Sequence, residues 1–584
     1  MDFRQRVAAH LAFLYPGEPV TPLVDRALSS FGLSAMDGLS GETLSEEAMS
    51  SPDLWSERDA ILITYADTIT SPDEAPLRIL KRWLGEHLAG AMSTVHVLPF
   101  FPWSSDDGFS VIDLAAVDPS LGEWGDVSAL ASDFGLMSDL VLNHVSVESE
   151  WFQQFQRGEA PGVDFFIELA ATADVSAVTR PRTHPLMRPT PTVGGLRQVW
   201  CTFSHDQVDL DTSNPDVLNA LLAVIRLHIE HGATALRLDA VAYLWKRMGT
   251  SCIHLPETHE VVRLIRTLLD ERARRGGERP TLVVTETNVP TVENLSYFGD
   301  GDEAHVVYNF ALPPLLLHAC LTGDTVPLAQ WATSMPDPPL SCTYLNFFAS
   351  HDGIGLRPAE NLLDEQAIAG LVNAAAEVGG GHSDYQSSTG PRPYELNASL
   401  VDLLRTDGEV PVARLLAAHS VVLALAGIPA IYIHSLLGTS SDHDRVKASG
   451  RLRAINRAQI PLASLTDCLA DANSFEHAAF HGLRHLLTVR QRHPAFSPNA
   501  AQEVLRLPDG LFGVLRSTPG NKHESDVIAV ANLADHEVTA SAAACRVVGR
   551  WSEVSSQVAT GVTEYRADDM LSFEPYSYRW MVSV

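Results

Sequence analysis

The chain of 584 residues is short of positive charge. Its 41 Lys and Arg stand against 72 Asp and Glu, for a formal net charge of -31. A nucleic-acid groove or a face for an anionic membrane needs the opposite balance, so neither is expected as the main partner. Cysteine is scarce as well. The six, at 201, 252, 320, 342, 468 and 545, form no CxxC pair and no regular spacing. That argues against a disulfide framework or a zinc site and leaves reduced core thiols. No apolar run reaches the length of a membrane span. The first residues, MDFRQRVAAHLAFLYPGEP, show neither a long apolar segment nor a small-residue cleavage site. The expectation is a cytoplasmic protein. Fixed-period repeats and long low-complexity segments are missing too.

What is present is an ordinary globular composition, 45% hydrophobic and 19% charged. Eight short apolar runs recur, each ending in polar residues: AILITYAD (60–67), STVHVLPFF (93–101), LMSDLVLNH (136–144), ATALRLDAV (233–241), TLVVTETN (281–288), HVVYNFAL (305–312), TYLNFFASHD (343–352) and IPAIYIHS (428–435). Continuous Val/Ile/Leu runs read as parallel strands covered on both faces. Helical patterns such as PLRILKRWLGEHLAG and NALLAVIRLHIEHG lie between several of them. Eight such units predict an α/β fold, a (β/α)8 TIM barrel with its chemistry at the C-terminal strand ends. Catalytic barrel sequence is expected over 59–504. Two gaps are too long for one crossover, and subdomains are expected there, at about 145–210 and 353–410. Residues 1–58 read as a helical extension. The short alternating segments of 505–584 read as a C-terminal antiparallel β domain.

Three runs end on a carboxylate: Asp239, Glu286 and Asp352. Singly, each could be a helix cap or a structural ion-pair partner. At successive strand ends of one barrel they converge on one pocket. Glycoside chemistry uses two such groups, one ionised to attack the anomeric carbon and one protonated to release the leaving oxygen. Arg237, two residues before Asp239, faces the same side of its strand and would keep that carboxylate ionised. A glutamate held away from such a cation can keep its proton.

LMSDLVLNH, ALRLDAV, VVTE and ASHDG, in that order along the chain, resemble the four motifs of glycoside hydrolase family 13. That resemblance implies Asp239 as nucleophile, Glu286 as general acid/base and Asp352 as a third acidic group on the sugar hydroxyls, with His144 and His351 lining the glucose subsite. SSDDGFSVID, RLDAVAYLWKRMGTSCIHLPETHEV, YNFALPPLLLHA, SHDGIGL and SGRLRAINR resemble the sucrose phosphorylase subfamily. On that likeness Asp106 and Arg451 hold the far edge of glucose, and Phe109 packs beside it. Tyr243 and Tyr394 border the site where phosphate and acceptor alternate, and Arg182 is a phosphate-side arginine. Arg182, Arg188 and Arg392 all lie in the two long loops. Arg188 reads as a solvated surface residue, and Arg392 as a second phosphate or acceptor contact. The subfamily uses no metal, so no cofactor is implied.

The implied activity is that of a retaining α-glucoside phosphorylase forming α-D-glucose 1-phosphate through a covalent glucosyl-enzyme. Its partners would be small molecules: an α-glucoside, inorganic phosphate, glucose 1-phosphate and a glycerol-like acceptor. Homodimerisation is left open. In the first loop, RPRTHPLMRP departs from the RPR-x-x-PLLT form of glycerate- and phosphosugar-specific members. The expected substrate is therefore 2-O-α-D-glucosylglycerol, with glucosylglycerate or sucrose as alternatives. A hydrolase or transglucosidase on the same barrel is the rival enzyme. A catalytically dead, amylase-like binding subunit is the rival of another class.

Overall fold

A computed structural model of the chain describes residues 1–36, 54–387, 390–405, 411–518, 526–556 and 561–584. Part of the N-terminal extension (37–53) and residues 388–389 and 406–410 of the second insertion lie outside the described residues. The eight apolar runs are the eight strands of a closed parallel barrel: β1 (Ile61–Thr64), β2 (Thr94–Val97), β3 (Gly135–Val141), β4 (Ala233–Asp239), β5 (Leu282–Thr285), β6 (Val306–Tyr308), β7 (Thr343–Asn346) and β8 (Ile428–Tyr432). The neighbour order is β1-β2-β3-β4-β5-β6-β7-β8, with β8 closing on β1. Nearly every residue of these strands is buried, which is why they read as continuous apolar runs instead of alternating ones. Amphipathic helices such as Pro76–His87, Pro215–Glu230 and Pro256–Gly276 form the outer layer.

Register decides what the barrel does with its few buried charges. Arg237 on β4 pairs with Asp139 on β3, and Asp239 with Val141, in the parallel ladder. An arginine and an aspartate opposite each other on adjacent strands point into the same barrel interior, where each compensates the other's desolvation.

The two insertions rise from the C-terminal ends of the strands. The first carries a three-stranded sheet (Glu168–Leu169, Gly195–Trp200, Met187–Thr192) and a short pairing of His144–Ser146 with Gln207–Asp209. The second carries the hairpin Gly381–Ser387 and Gly390–Asn397, extended by Ile354–Gly355. The two meet at a bridge between Arg180 and Gln386. Gly353 makes the tight exit from β7 that this needs. Its φ is +98°, and a Cβ there would stand 2.0 Å from the Leu396 carbonyl oxygen.

The N-terminal helices Phe3–Leu14 and Val20–Ser30 dock on the outer helices. His10 contacts Glu260 at 2.8 Å and Thr267 at 3.2 Å, and the Tyr15 hydroxyl donates to the Thr212 carbonyl at 3.0 Å. At the other end, an antiparallel sheet of six strands starts at Gln502. It is fastened to the barrel by Arg516, whose guanidinium donates to the carbonyls of Ala424, Ser497 and Ala500. All six cysteines are free, five of them buried. No helix among the described residues is long and apolar enough to cross a membrane.

Candidate active site

The C-terminal ends of the strands and the two insertions enclose a cavity of about 620 Å³, an ordinary size for a small-molecule site. Asp106, Phe109, His144, Arg182, Asp239, Tyr243, Glu286, Asp352, Tyr394 and Arg451 all line it. Arg237 and His351 stand directly behind the wall, 2% and 3% exposed. Arg392 does not reach it. Burial along Gly390–Asn397 begins only near Tyr394, and Arg392, nearer the hairpin tip, overhangs solvent and meets Glu365 at 3.3 Å.

Asp239 ends β4 and is followed by Ala240 at φ +48°, a left-handed turn that a non-glycine residue adopts only under constraint. The turn brings the Ala240 N–H to within 3.0 Å of Glu286 Oε2. Arg237 serves three carboxylates: it pairs with Asp139, stands 2.9 Å from Asp239 and 3.9 Å from Glu286. Its closest partner is therefore Asp139, itself 2.7 Å from His96. Burial works against Asp139's ionisation, but Arg237 and His96 outweigh it and hold the carboxyl down at about 2. Asp139 sits mid-strand in an apolar run, like Arg237, and that shared oddity was the signal for it.

Burial pushes both Asp239 and Glu286 above the usual carboxylate range, Asp239 well above it; the charge on Glu286 raises Asp239 further, and that on Asp352 raises Glu286. Arg237 opposes this, and it is 1 Å nearer to Asp239 than to Glu286.

Across the cavity, burial also disfavours the charge on Asp352, yet His351, Arg453 and Arg457 together keep its carboxyl far below the ordinary range. His351 is held down to about 3 by burial and is neutral near pH 7, so the guanidiniums carry that effect, Arg453 at 3.1 Å and Arg457 at 3.6 Å. Arg457 also stands 3.5 Å from Asp106 and 2.8 Å from Asp107. Arg453 grips the buried Glu395 through two bonds of 2.6 Å. Beside Asp106, where the resemblance implied Arg451, stand Arg457 and, at 3.8 Å, Arg453. Arg451 lies at the exposed rim. The same SGRLRAINR stretch holds all three arginines, and only the fold separates them. Phe109 stacks on His351 at 5.0 Å with the rings 4° apart. His144 is pinned through Nε2 to the Phe109 carbonyl at 3.0 Å.

The mouth of the cavity has a different character. Arg182 lies over the Tyr394 ring at 5.1 Å, and its guanidinium has no ion-pair partner among the described residues; it donates to the Pro181 carbonyl at 3.2 Å. Met187 packs into a small apolar cluster with Leu186, Trp200 and Cys252, and Arg188 lies over the Phe152 ring at 5.8 Å. Neither lines the cavity. The departure at PLMRP therefore falls on residues that do not line the cavity.

Residues 90–333 match the α-amylase catalytic domain family. The chain is 44% identical to the glucosylglycerate phosphorylase of Allomeiothermus silvanus over 513 residues, covering 86% of this chain and 89% of that one. It is 40% identical to the glucosylglycerate phosphorylase of Escherichia coli K12, covering 83% and 90%. Identity to the glucosylglycerol phosphorylase of Marinobacter adhaerens is 28%, over 74% and 87%. The crystal structure of sucrose 6F-phosphate phosphorylase from Thermoanaerobacter thermosaccharolyticum superposes with a TM-score of 0.70 at 24% identity, covering 82% of this chain and 94% of that one.

Proposed function

The chain belongs to the sucrose phosphorylase subfamily of glycoside hydrolase family 13 and is a glycoside phosphorylase, and on that premise we propose that it is a retaining enzyme interconverting 2-O-α-D-glucosylglycerate and phosphate with α-D-glucose 1-phosphate and glycerate. In the first step the Asp239 carboxylate attacks the anomeric carbon. Glu286 gives its proton to the glycosidic oxygen, and glycerate leaves as the alcohol. Phosphate then attacks the same carbon, its proton passes to Glu286, and the bond to Asp239 breaks. Two inversions return the α configuration. Retention calls for carboxyls about 5 Å apart, in keeping with two carboxylates that lie within reach of one Arg237 guanidinium. In this reading Asp352, Asp106 and Arg457 grip the glucose hydroxyls, with Phe109, His144 and His351 shaping the subsite and Arg451 at its rim.

The expectation of a neutral glycerol acceptor gives way. It rested on two loop residues, Met187 and Arg188, that do not line the cavity. Glucosylglycerate phosphorylases are also the nearer relatives, at 44% against 28%. The observation that carries the reading is Arg182: a guanidinium at the cavity mouth with no carboxylate partner among the described residues. A cation left unpaired beside a closed sugar subsite suits an anion, and phosphate and glycerate both are anions. Arginine's planar fork binds either through two parallel bonds. The test is an acceptor panel in the synthetic direction from α-D-glucose 1-phosphate. Glycerate should exceed glycerol and fructose in kcat/KM by about tenfold or more. A preference for glycerol or fructose overturns the reading.

A further inference from the structure

The loop after β2 carries SSDDGF, and its backbone takes an uncommon course. Asp106 and Asp107 stand at φ +57° and +49°, and Gly108 follows at +111°. A left-handed conformation crowds the Cβ of an L-residue against the next carbonyl, so single residues visit it and consecutive ones rarely do. Only glycine fits the third position, where a Cβ would stand 2.7 Å from the Pro99 carbonyl oxygen. The two aspartates have no such freedom, and a turn of this kind persists only where its surroundings hold it. Two arginines do so. Arg457 donates to Asp107 Oδ2 at 2.8 Å and to the Asp106 carbonyl at 3.3 Å, tying side chain and backbone together. Arg445, on the helix His443–Ser449 beyond β8, donates to Asp107 Oδ1 at 3.2 Å. Both oxygens of Asp107 are thus committed. The Asp106 carboxylate is not: it lines the cavity, with Arg457 and Arg453 no nearer than 3.5 and 3.8 Å.

We propose that Asp107 and Arg445 are positioning residues of the glucose subsite: with Arg457 they clamp the left-handed turn that aims the Asp106 carboxylate into the cavity. Asp107 borders the cavity as well, but with both oxygens engaged by guanidiniums it works on its neighbour. Arg445 does not line the cavity, so any effect it has on the sugar travels through Asp107. Phe109, directly after the glycine, takes its place against His351 from the same turn. The inference rests on the proposed assignment of Asp106 to the glucose hydroxyls but not on the identity of the alcohol.

The experiment uses the full-length enzyme with α-D-glucosyl fluoride as donor and phosphate held fixed. The variants are Asp106→Asn, Asp107→Asn, Asp107→Gly, Arg445→Gln and the Asp107→Asn/Arg445→Gln pair. Asparagine and glycine both tolerate a left-handed backbone, so at position 107 they remove the clamp and spare the turn. Asp107→Asn and Asp107→Gly should each raise the donor KM roughly tenfold or more, the scale of hydrogen bonds to a charged group. Arg445→Gln should raise it about two- to fivefold, and the pair should be no worse than Asp107→Asn alone. The ratio of glucose 1-phosphate to free glucose should keep its wild-type value, because the clamp lies on the sugar side of the cavity. A lowered kcat with an unmoved donor KM, as loss of folded enzyme gives, would mean a merely structural role and overturn the proposal. So would an Asp107→Gly enzyme that matches wild type, an unchanged donor KM in Arg445→Gln, or losses that multiply in the pair. An unchanged donor KM in Asp106→Asn overturns the assignment of Asp106 to the sugar, and the clamp with it. A wild-type preference for glycerol over glycerate overturns the glycerate reading alone, and the donor KM still decides the role of Asp107 and Arg445.

Discussion

The two halves of the cavity treat arginine in opposite ways. In the inner half, Arg237, Arg453 and Arg457 each stand within 3.1 Å of a carboxylate. In the outer half, Arg182 has no such partner among the described residues and Arg357 keeps 3.9 Å from Glu293. In the proposed mechanism the inner arginines organise negative charge around a neutral sugar. The outer arginines hold positive charge in reserve. In a chain with a formal net charge of -31, cations left unmatched near a cavity suit an incoming anion, as the proposed function has it.

Catalysis in the inner half should be the easiest thing to break. Asp239→Asn should lower phosphorolysis by about 10⁴-fold or more, because no other group can form the glucosyl ester; steady-state assays with active-site titration measure this. Asp139→Asn tests the charge pairing beneath it. Removing Asp139 takes away the closest partner of the buried Arg237 and leaves it Asp239 at 2.9 Å and Glu286 at 3.9 Å, at a cost of up to about 3–5 kcal/mol, readable in urea denaturation. A loss under 1 kcal/mol would contradict the pairing of Arg237 with Asp139.

The proposed acid role of Glu286 gives a subtler test. Burial raises that carboxyl, so the acid form persists to higher pH and kcat/KM falls as pH rises through the elevated pKa. With α-D-glucosyl fluoride, whose departure needs no proton, the alkaline limb should recede. Identical alkaline limbs for the fluoride and the natural glucoside would remove Glu286 from the acid role. The smallest effect is expected in the outer half, at a residue the cavity does not contain. Arg392→Ala, on the exposed hairpin, should change the phosphate KM less than about twofold, as isolated surface charges do.

The same contrast explains what could be read from the sequence. All eight strands were legible, since buried parallel strands are continuous apolar runs. The carboxylates at their ends were legible too, because a strand end fixes where a side chain points. Asp139 was hidden because its meaning depends on which strand lies next to β3. Arg453 and Arg457 were hidden because three arginines share SGRLRAINR, and a short helical turn, Leu452–Asn456, decides which of them reach the inner carboxylates. The loops were least legible. PLMRP looked like a specificity signal, yet its side chains pack against Trp200 and Phe152. Arg392 and Tyr394 lie two residues apart and only one of them lines the site.

The division between a closed sugar half and an anion-seeking half is tested most directly by partitioning. With the glucosyl-enzyme formed from α-D-glucosyl fluoride, the ratio of glucose 1-phosphate to free glucose is measured against phosphate concentration for wild type and Arg182→Gln. The account predicts that Arg182→Gln needs roughly tenfold or more phosphate to reach the same ratio, while free glucose forms at nearly the wild-type rate in its absence. An unchanged ratio, or an equal fall in both products, would contradict it.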